Sequence, residues 1–290
     1  MGSFDRMAVT SGAIKGVSVL IPAHNEADWL PACLSALCAS EPVAGPVEVI
    51  VIANGCSDNT AEIAAKSTLD FEARGWVLNV IELTQGSKLG AWNAGEGAAG
   101  GEVLVYLDAD VRVSPPLLRQ LAEALGKDAP RYASGLPKVT TSGNWVTRHY
   151  TRFWQTTAFM THGVPGFGIF AMNRAGRARW GDWPDIISDD TFARLNFTPD
   201  ERIAVPATYD WPMIEGYVPL VRVRRRQDVG VAEVTQLFPD LMRNDDSHDQ
   251  MRPFWRRAVA DPLGALVFLA VRLAIHAPVF RSSNRWVRGR

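Results

Sequence analysis

The chain has neither an excess of one charge nor many cysteines or histidines. Its 30 basic and 31 acidic side chains give a formal net charge of −1, whereas a dedicated nucleic-acid binder is usually strongly basic. The three cysteines lack the spacing of zinc ligands, and we interpret them as free thiols in a reducing compartment. The five histidines are scattered and form no ligand pair. These absences argue against a nucleic-acid partner, a disulfide framework and a zinc site.

Signals of secretion and of two other enzyme classes are also missing. The first apolar run, "VSVLI", is too short for the core of a secretory signal and predicts a strand. There is no nucleophilic serine elbow, and "GEGAAG" precedes a predicted strand, whereas a dinucleotide-binding fingerprint follows one. What the chain does have is 290 residues with 47% hydrophobic content, which can bury the core of one large α/β domain or two small ones.

Short apolar runs alternate with helix-like segments through the first half of the chain. The predicted strands are "GVSVLIPA", "VEVIVIAN", "WVLNVIEL" and "EVLVYLDAD". This alternation predicts a mostly parallel sheet with helices on both faces. Ligands of such sheets bind at the carboxyl ends of the strands, so "PAHNE", "ANGCSD" and "DAD" are expected at one edge. In the second half, "RIAVPATY" and "YVPLVRVRRR" are predicted as strands, and "DDTFARL" as a helix.

Two acidic residues, Asp108 and Asp110, end the fourth predicted strand. Neighbouring carboxylates repel each other, and a divalent cation between them removes the repulsion. The alternative is an ordinary turn, in which aspartate is common. Helix capping by Asn25 and a turn at Asn54-Gly55 could likewise explain the other two polar strand ends. Three polar strand ends at one edge nevertheless favour a ligand site.

The ordered segments of this edge resemble the donor half of the family-2 glycosyltransferases. The matching segments are "VSVLIPAHNEADWLPACLSAL", "VEVIVIANGCSDNTAEIA", "KLGAWNAG" and "VLVYLDADVRVSP". The resemblance is close up to Pro115 and looser through "GFGIFAMNRAG" and "DIISDDTFARL" to "RVRRRQ". It implies an inverting enzyme of the GT-A fold that uses nucleotide diphosphate-sugars. The implied catalytic domain spans 1–245, with a donor half over about 15–115 and an acceptor half over about 116–245, followed by a helical, basic extension over 246–290.

The same resemblance assigns roles to residues of the donor half. It implies that Asn54 faces the base, where many relatives have Asp-Asp in place of Ala53-Asn54, and that Lys88 lies beside the nucleotide. Asp108 and Asp110 would hold Mg²⁺ or Mn²⁺ on the diphosphate, where negative charge develops as the glycosidic bond breaks. The remaining implied nucleotide-sugar ligands are Pro22, Ala23, His24 and Glu26 in the nucleoside pocket and Arg225 or Arg226 at the phosphate.

A second acidic pair, Asp189-Asp190, opens a predicted helix. The resemblance implies that Asp190 is the general base that takes the proton of the acceptor hydroxyl. Helix capping by Ser188 or Asp189 is the alternative, and both interpretations can hold together. The aromatic cluster is expected to be mostly core, with one or two members lining the acceptor site together with Trp180 or Trp183. Its members are Trp145, Tyr150, Phe153, Trp154 and Phe159.

The sequence therefore predicts a metal-dependent transferase that moves a sugar from a nucleotide diphosphate to an acceptor hydroxyl. By the resemblance, the donor is a UDP-sugar. The expected acceptor is a glycan or a lipid-linked molecule, in bacterial polysaccharide or glycolipid synthesis. Two alternatives remain. A nucleotidyltransferase should have a Gly-rich, basic loop after the first strand, which "IPAHNE" does not provide. A non-catalytic nucleotide-sugar-binding scaffold of a polysaccharide complex would have no use for the Asp190 base.

The C-terminal segment "DPLGALVFLAVRLAIHAPVF" is apolar almost all round. One interpretation is a helix in the membrane interface, with Arg281, Arg285, Arg288 and Arg290 facing anionic lipid. Arg272 and His276 lie four residues apart, on one helical face, which favours this interpretation. A core or oligomer helix is the alternative. The expected location is cytoplasmic, on the cytoplasmic face of the inner membrane through 261–290.

Overall fold

The computed structural model describes residues 16–161, 163–246 and 253–277. The strands are β1 Val17–Ala23, β2 Val47–Asn54, β3 Val77–Leu83, β4 Val103–Leu107, β5 Arg112–Val113, β6 Tyr132–Thr140, β7 Ile169–Asn173 and β8 Arg202–Pro212. The helices are α1 Leu30–Cys38, α2 Thr60–Lys66, α3 Thr68–Glu72, α4 Lys88–Ala98, α5 Leu117–Leu125, α6 Trp145–Trp154, α7 Ala158–Thr161, α8 Arg174–Arg177, α9 Asp189–Leu195, α10 Tyr217–Leu237, α11 Phe254–Ala260 and α12 Pro262–Ile275. Two 3₁₀ helices cover Pro199–Glu201 and Pro239–Asn244.

The strands form one sheet in the order β3-β2-β1-β4-β7-β6-β8-β5. The first four are parallel, as the sequence predicts. Strand β7 then runs antiparallel to both β4 and β6, and β6 pairs in parallel with β8. The sheet is therefore parallel in its first half and mixed in its second.

The central strands are apolar throughout because both faces of the sheet are covered. All seven residues of β1 are buried. Val19 and Ile21 point into one hydrophobic cluster and Leu20 into another, as the two-residue period of a strand requires. One cluster packs on α1 and α5, and the other packs on α4 and α9. Burial on both faces explains the continuous apolar runs of these strands.

The prediction of a strand at "YVPLVRVRRR" is wrong, because the segment forms the first half of α10. Leu220 and Val221 are buried in this half, and Gly230 and Val234 in the second half, at helical spacings. Pro219 sits in the first turn, where the missing N–H is tolerated.

The C-terminal helix α12 packs its inner face into a third hydrophobic cluster between α6 and α10. Val267, Val271 and Ile275 are buried there, and the ring of Phe268 lies 5.5 Å from that of Tyr150. This face matches the core-helix interpretation of the segment. Within the described ranges, no helix is both long and apolar enough to span a membrane. The predicted lipid contacts of Arg281 to Arg290 lie outside the described residues.

Candidate active site

The ends of β1 and β2 are joined by hydrogen bonds, as expected for polar residues at one sheet edge. Asn25 adopts a left-handed conformation, with φ of 54°. Its Oδ1 accepts from the backbone N–H groups of Ser57 at 2.6 Å and Asp58 at 3.2 Å. The Nδ1 of His24 lies 2.7 Å from the carbonyl oxygen of Asn54. These bonds fix the loop after β1 to the loop after β2.

Asn54 is a structural brace of this edge. Its side-chain Nδ2 donates to the Ala23 carbonyl at 3.0 Å, and its Oδ1 accepts from the Ser87 N–H at 3.0 Å. It is only 4% exposed. The amide thus bonds the backbone at both ends, and the position of Asn54 facing a nucleotide base stays a prediction. The side chains of Pro22 and Ala23 are buried in β1 and shape this edge from below.

Lys88 bridges the donor-half and acceptor-half acidic pairs. Ser87 caps α4 through its side chain and so places Lys88 at the first position of the helix. The Nζ of Lys88 lies 2.9 Å from Asp108 Oδ1 and 3.0 Å from Asp189 Oδ2. Burial alone would lower the pKa of Lys88, but the charges of Asp108 and Asp189 outweigh it and raise the pKa above its ordinary value. The amine is therefore a permanent cation in this site.

Asp108 and Asp110 lie in a tight turn just beyond the end of β4. The Val111 N–H donates to the Asp108 carbonyl at 3.1 Å, and the Asp108 N–H donates to the Gly168 carbonyl at 2.9 Å. Both carboxylates line one cavity together with Glu26. The sequence thus predicts correctly that they share the edge with the loop after β1.

The donor set of this turn fits a divalent cation. Mg²⁺ and Mn²⁺ favour oxygen ligands, and Mg²⁺ is commonly held by one or two carboxylates together with substrate phosphates. Asp108 and Asp110 offer two such carboxylates to the same cavity. In the part of the chain that the structure describes, no group of three or more His, Cys, Asp or Glu side chains converges as a metal site. The remaining ligands of a cation held by two aspartates would be oxygens of substrate phosphates, water or the backbone.

Asp190 lies at the start of α9 beside the buried Asp189. Its Oδ1 accepts from Ser188 Oγ at 2.9 Å and from the Thr191 N–H at 2.7 Å. Burial and, next, the negative charge of Asp189 raise the pKa of Asp190 above its ordinary value. The opposite holds for Asp189: burial would raise its pKa, but the Lys88 charge and the Trp92 hydrogen bond lower it. The two carboxyls are thus differentiated, and Asp190 is the stronger proton acceptor.

Two adjoining cavities meet at Asp108. The first, the rim cavity, has a volume of about 400 Å³ and is lined by the loop after β1, by the acidic turn and by α10. The second, the aromatic cavity, has a volume of about 380 Å³ and contains Lys88, Asp189 and Asp190. Residues that line both are Asp108, Trp211, Arg226 and Gln227. The proposed metal ligands and the proposed base therefore face connected space.

The two candidate phosphate ligands on α10 point in different directions. Arg226 lines both cavities, beside Asp108. Arg225 instead donates from Nη1 to the carbonyl oxygen of Ala277, 2.9 Å away, at the end of α12. Helical geometry explains the difference, because successive residues of a helix are about 100° apart around its axis. Only Arg226 of the two faces the cavities.

Three tryptophans and one phenylalanine divide between the aromatic cavity and the core. Trp154 and Phe159 line the cavity, which agrees with the expected minority of the aromatic cluster. Trp180 and Trp183 line neither the rim cavity nor the aromatic cavity. Their rings lie 5.4 and 6.2 Å from that of Phe192 in the cluster beneath α9.

Two contributions to the site were not predicted from the sequence. Asp189 was considered only as a helix cap, whereas its carboxylate holds Lys88 and accepts from Trp92 Nε1 at 3.0 Å. The spacing of Lys88 and Trp92 carries a signal, because residues four apart share a helix face. Trp29 lines the rim cavity and is 42% exposed, which single-sequence patterns do not reveal.

The family model described as "Glycosyl transferase family 2" matches residues 18–202. The chain belongs to this family. Among curated relatives of this glycosyltransferase, undecaprenyl-phosphate 4-deoxy-4-formamido-L-arabinose transferase of Pectobacterium carotovorum is 33% identical over 111 residues, which are 38% of this chain and 33% of the relative. Glycosyltransferase AglE of Haloferax volcanii is 34% identical over 94 residues, 32% of this chain and 30% of the relative. The matches thus span about a third of each relative's length.

Solved structures of other glycosyltransferases share the fold of this one. Mannosyltransferase PcManGT of Pyrobaculum calidifontis, in complex with GDP-Man and Mn²⁺, is 20% identical with a TM-score of 0.58, over 91% of this chain and 77% of that chain. TarS 1–349 of S. aureus, in complex with UDP, is 14% identical with a TM-score of 0.52, over 89% of this chain and 91% of that chain. These similarities confirm the predicted GT-A fold.

Proposed function

We propose that this glycosyltransferase transfers a sugar, with inversion at C1, from a nucleotide diphosphate to an acceptor hydroxyl. The observation that carries the proposal is that Lys88, Asp108 and Asp190 line one cavity. Groups that stabilise a leaving diphosphate and a group that takes a proton are thereby placed on the same enclosed space. This arrangement is what a single displacement requires.

The donor side of the site consists of Asp108, Asp110, Lys88 and Arg226. A divalent cation held by the two aspartates would stabilise the negative charge that develops on the leaving diphosphate. Lys88 and Arg226 border the same carboxylates and can each donate to phosphate oxygens. Glu26 and His24 lie at the same edge, where they remain candidates for contact with the nucleoside.

The acceptor side provides the base. The Asp190 carboxylate takes the proton of the acceptor hydroxyl, and the hydroxyl oxygen forms a bond to C1 of the sugar. The bond between C1 and the phosphate oxygen breaks, and its electron pair leaves with the nucleoside diphosphate. A raised pKa suits this role, because the carboxylate then binds the proton more strongly than an ordinary aspartate does.

The acceptor that we propose is lipid-linked, and the donor a UDP-sugar. The first proposal is supported by the name of the Pectobacterium relative, which specifies undecaprenyl phosphate, and the second by the UDP complex of TarS. Work on a lipid-linked acceptor places the enzyme on the cytoplasmic face of the inner membrane, where nucleotide sugars are available. Polysaccharide or glycolipid synthesis is the process that consumes such products.

The test combines donor identification with one conservative substitution. A panel of nucleotide sugars with Mn²⁺ is screened by thermal shift, because a true donor stabilises the folded state. Turnover of the hit is then measured for the wild type, for Asp190→Asn and for the control Asp200→Asn, an exposed carboxylate in a 3₁₀ helix. We expect Asp190→Asn to lose about 10²–10⁴-fold in rate, the usual share of a general base, and the control to lose nothing. Donor binding without turnover in the wild type would instead indicate a binding scaffold.

A further inference from the structure

Helix α12 is apolar on both faces, and only one face is buried. The outward side chains form a row, here called the leucine stripe, consisting of Leu263, Leu266, Leu269 and Leu273. Their exposed fractions are 50%, 64%, 43% and 75%. Single exposed leucines are ordinary on a protein surface, but a contiguous apolar row marks a contact surface.

The spacing of the stripe and its neighbours defines one continuous surface. Steps of three, three and four residues keep the four leucines on one side of the helix. The preceding helix α11 adds Trp255, which is 62% exposed, and Val259, which is 78% exposed. The guanidinium of Arg256 lies 5.2 Å from the Trp255 ring. An aromatic ring beside an arginine is typical of side chains at a membrane–water interface.

The C-terminal sequence that includes this surface carries mostly one sign of charge. From residue 253 onward the sequence contains seven arginines and a single acidic residue, Asp261, although the whole chain has a net charge of −1. Two of these arginines are engaged within the protein: Arg257 is buried against the Phe153 ring, and Arg272 pairs with Asp228 at 2.9 Å. The segment that bears the leucine stripe is therefore strongly cationic against an otherwise acidic chain.

We propose that the leucine stripe, together with Trp255, docks the protein on an anionic lipid bilayer. Apolar side chains enter the headgroup boundary while arginines meet lipid phosphates, and the two contributions add. A second copy of the chain is a poorer occupant. A two-fold contact would place the same cationic segment of both copies against itself, so like charges would oppose it.

The inner face of α12 gives this docking a consequence for the site. Phe268, the neighbour of Leu269, lines the aromatic cavity that contains Asp190. The same helix thus borders the cavity on one side and presents leucines on the other. Docking would place the cavity next to the bilayer surface, which suits a lipid-linked acceptor. This consequence rests on the function proposed above, whereas the proposal that the protein docks on a bilayer is independent of that function.

The test is flotation of the full chain with vesicles, in the absence of any sugar donor. Vesicles of phosphatidylglycerol and phosphatidylcholine are compared with vesicles of phosphatidylcholine alone. We expect the wild type to float with the anionic vesicles and the double variant Leu266→Glu/Leu273→Glu to lose about tenfold or more in partitioning, because it loses apolar contact and gains repelled charge. The matched control is Leu69→Glu, a leucine of α3 that is 74% exposed, and it should float like the wild type.

Three results would overturn the proposal. They are a wild type that stays with the soluble fraction, a double variant that floats as well as the wild type, and a wild-type dimer in sedimentation that the double variant dissociates. Thermal unfolding checks that the double variant is folded, and a single Leu273→Glu variant provides the same comparison if it is not. Flotation needs no donor, so a failure of the proposed transferase activity leaves this result interpretable.

Discussion

Replacement of Asp189 by asparagine tests the electrostatics of the site most directly. The side chain is buried, and its Oδ2 lies 3.0 Å from both Lys88 Nζ and Trp92 Nε1, while its Oδ1 lies 3.4 Å from Lys88 Nζ. Asparagine has nearly the same shape but only one acceptor oxygen and no charge. With its oxygen in the Oδ2 position, asparagine can still accept from both donors, but without a charge, and its NH₂ group then takes the Oδ1 position, 3.4 Å from the Lys88 ammonium.

The expected loss of stability depends on the ion pair that Lys88 retains with Asp108. Removal of one partner from a buried ion pair costs about 3–5 kcal/mol when the other charge is left uncompensated. Lys88 retains Asp108 at 2.9 Å, so the larger figure does not apply. We expect a loss of about 1–3 kcal/mol, because hydrogen bonds to a charged acceptor become weaker bonds to a neutral amide. Urea unfolding measures this loss as a lower midpoint with an unchanged slope.

The same substitution should also lower the pKa of Asp190, which the pH dependence of the rate would report. As the proposed base, Asp190 would act in its ionised form, so kcat/KM is expected to rise as pH increases through its pKa. Burial and the Asp189 charge both raise that pKa, and Asp189→Asn removes the second cause. The acid limb of kcat/KM should therefore move to lower pH, although burial keeps it above the ordinary value. An unchanged or upward-shifted limb, or an unchanged urea midpoint, would refute this account.

Three further predictions concern stability and the cation. The hydrogen bonds from Arg179 lower the pKa of Glu201 from an ordinary 4.5 to about 2. The pair therefore stabilises the fold fully above about pH 4.5, and this contribution is lost as pH falls towards 2. The urea midpoint of Glu201→Gln should depend less on pH over that range than the midpoint of the wild type. Gly55→Ala should destabilise the fold by more than about 1 kcal/mol, because φ of Gly55 is +61° and the new Cβ would lie 2.6 Å from the Gly86 nitrogen. In contrast, the Cβ of Gly97→Ala in α4 would meet nothing within 4 Å, so this variant should be more stable than the wild type by about 0.5–1 kcal/mol. Chelation of divalent ions should abolish sugar turnover and leave the thermal midpoint without donor unchanged, with Mn²⁺ restoring the rate; full turnover in excess chelator would exclude the cation role.

The first half of the fold could be predicted from the sequence because its signals are local. Strands β1, β2 and β4 are short, largely apolar runs, and burial on both sheet faces produces that pattern, whereas the edge strand β3 is only partly buried. The polar strand ends then fall at one edge by topology alone. The hydrogen bonds of Asn25 to the loop after β2 show that edge assembled.

The second half could not be predicted as well, because its signals are decided by tertiary packing. "VRVRRR" alternates apolar and basic residues as a strand does, yet Leu220 and Val221 are buried side by side in a helix. Asn54 was expected at the ligand because its position matches the family motif, whereas the amide is used to join two strand ends to α4. A motif specifies a position but not which neighbour a side chain will bond.

The ion pair between Lys88 and Asp189 connects residues that lie 101 positions apart in the chain. Lys88 opens α4 beside the proposed diphosphate site, and Asp189 directly precedes Asp190, the proposed base. A phosphate that takes hydrogen bonds from Lys88 therefore draws the ammonium away from Asp189. With its partner engaged elsewhere, the Asp189 charge acts more strongly on Asp190 and raises the proton affinity of the base. Arrival of the donor would in this way prime the base before the acceptor binds, which favours an ordered sequence of substrate addition.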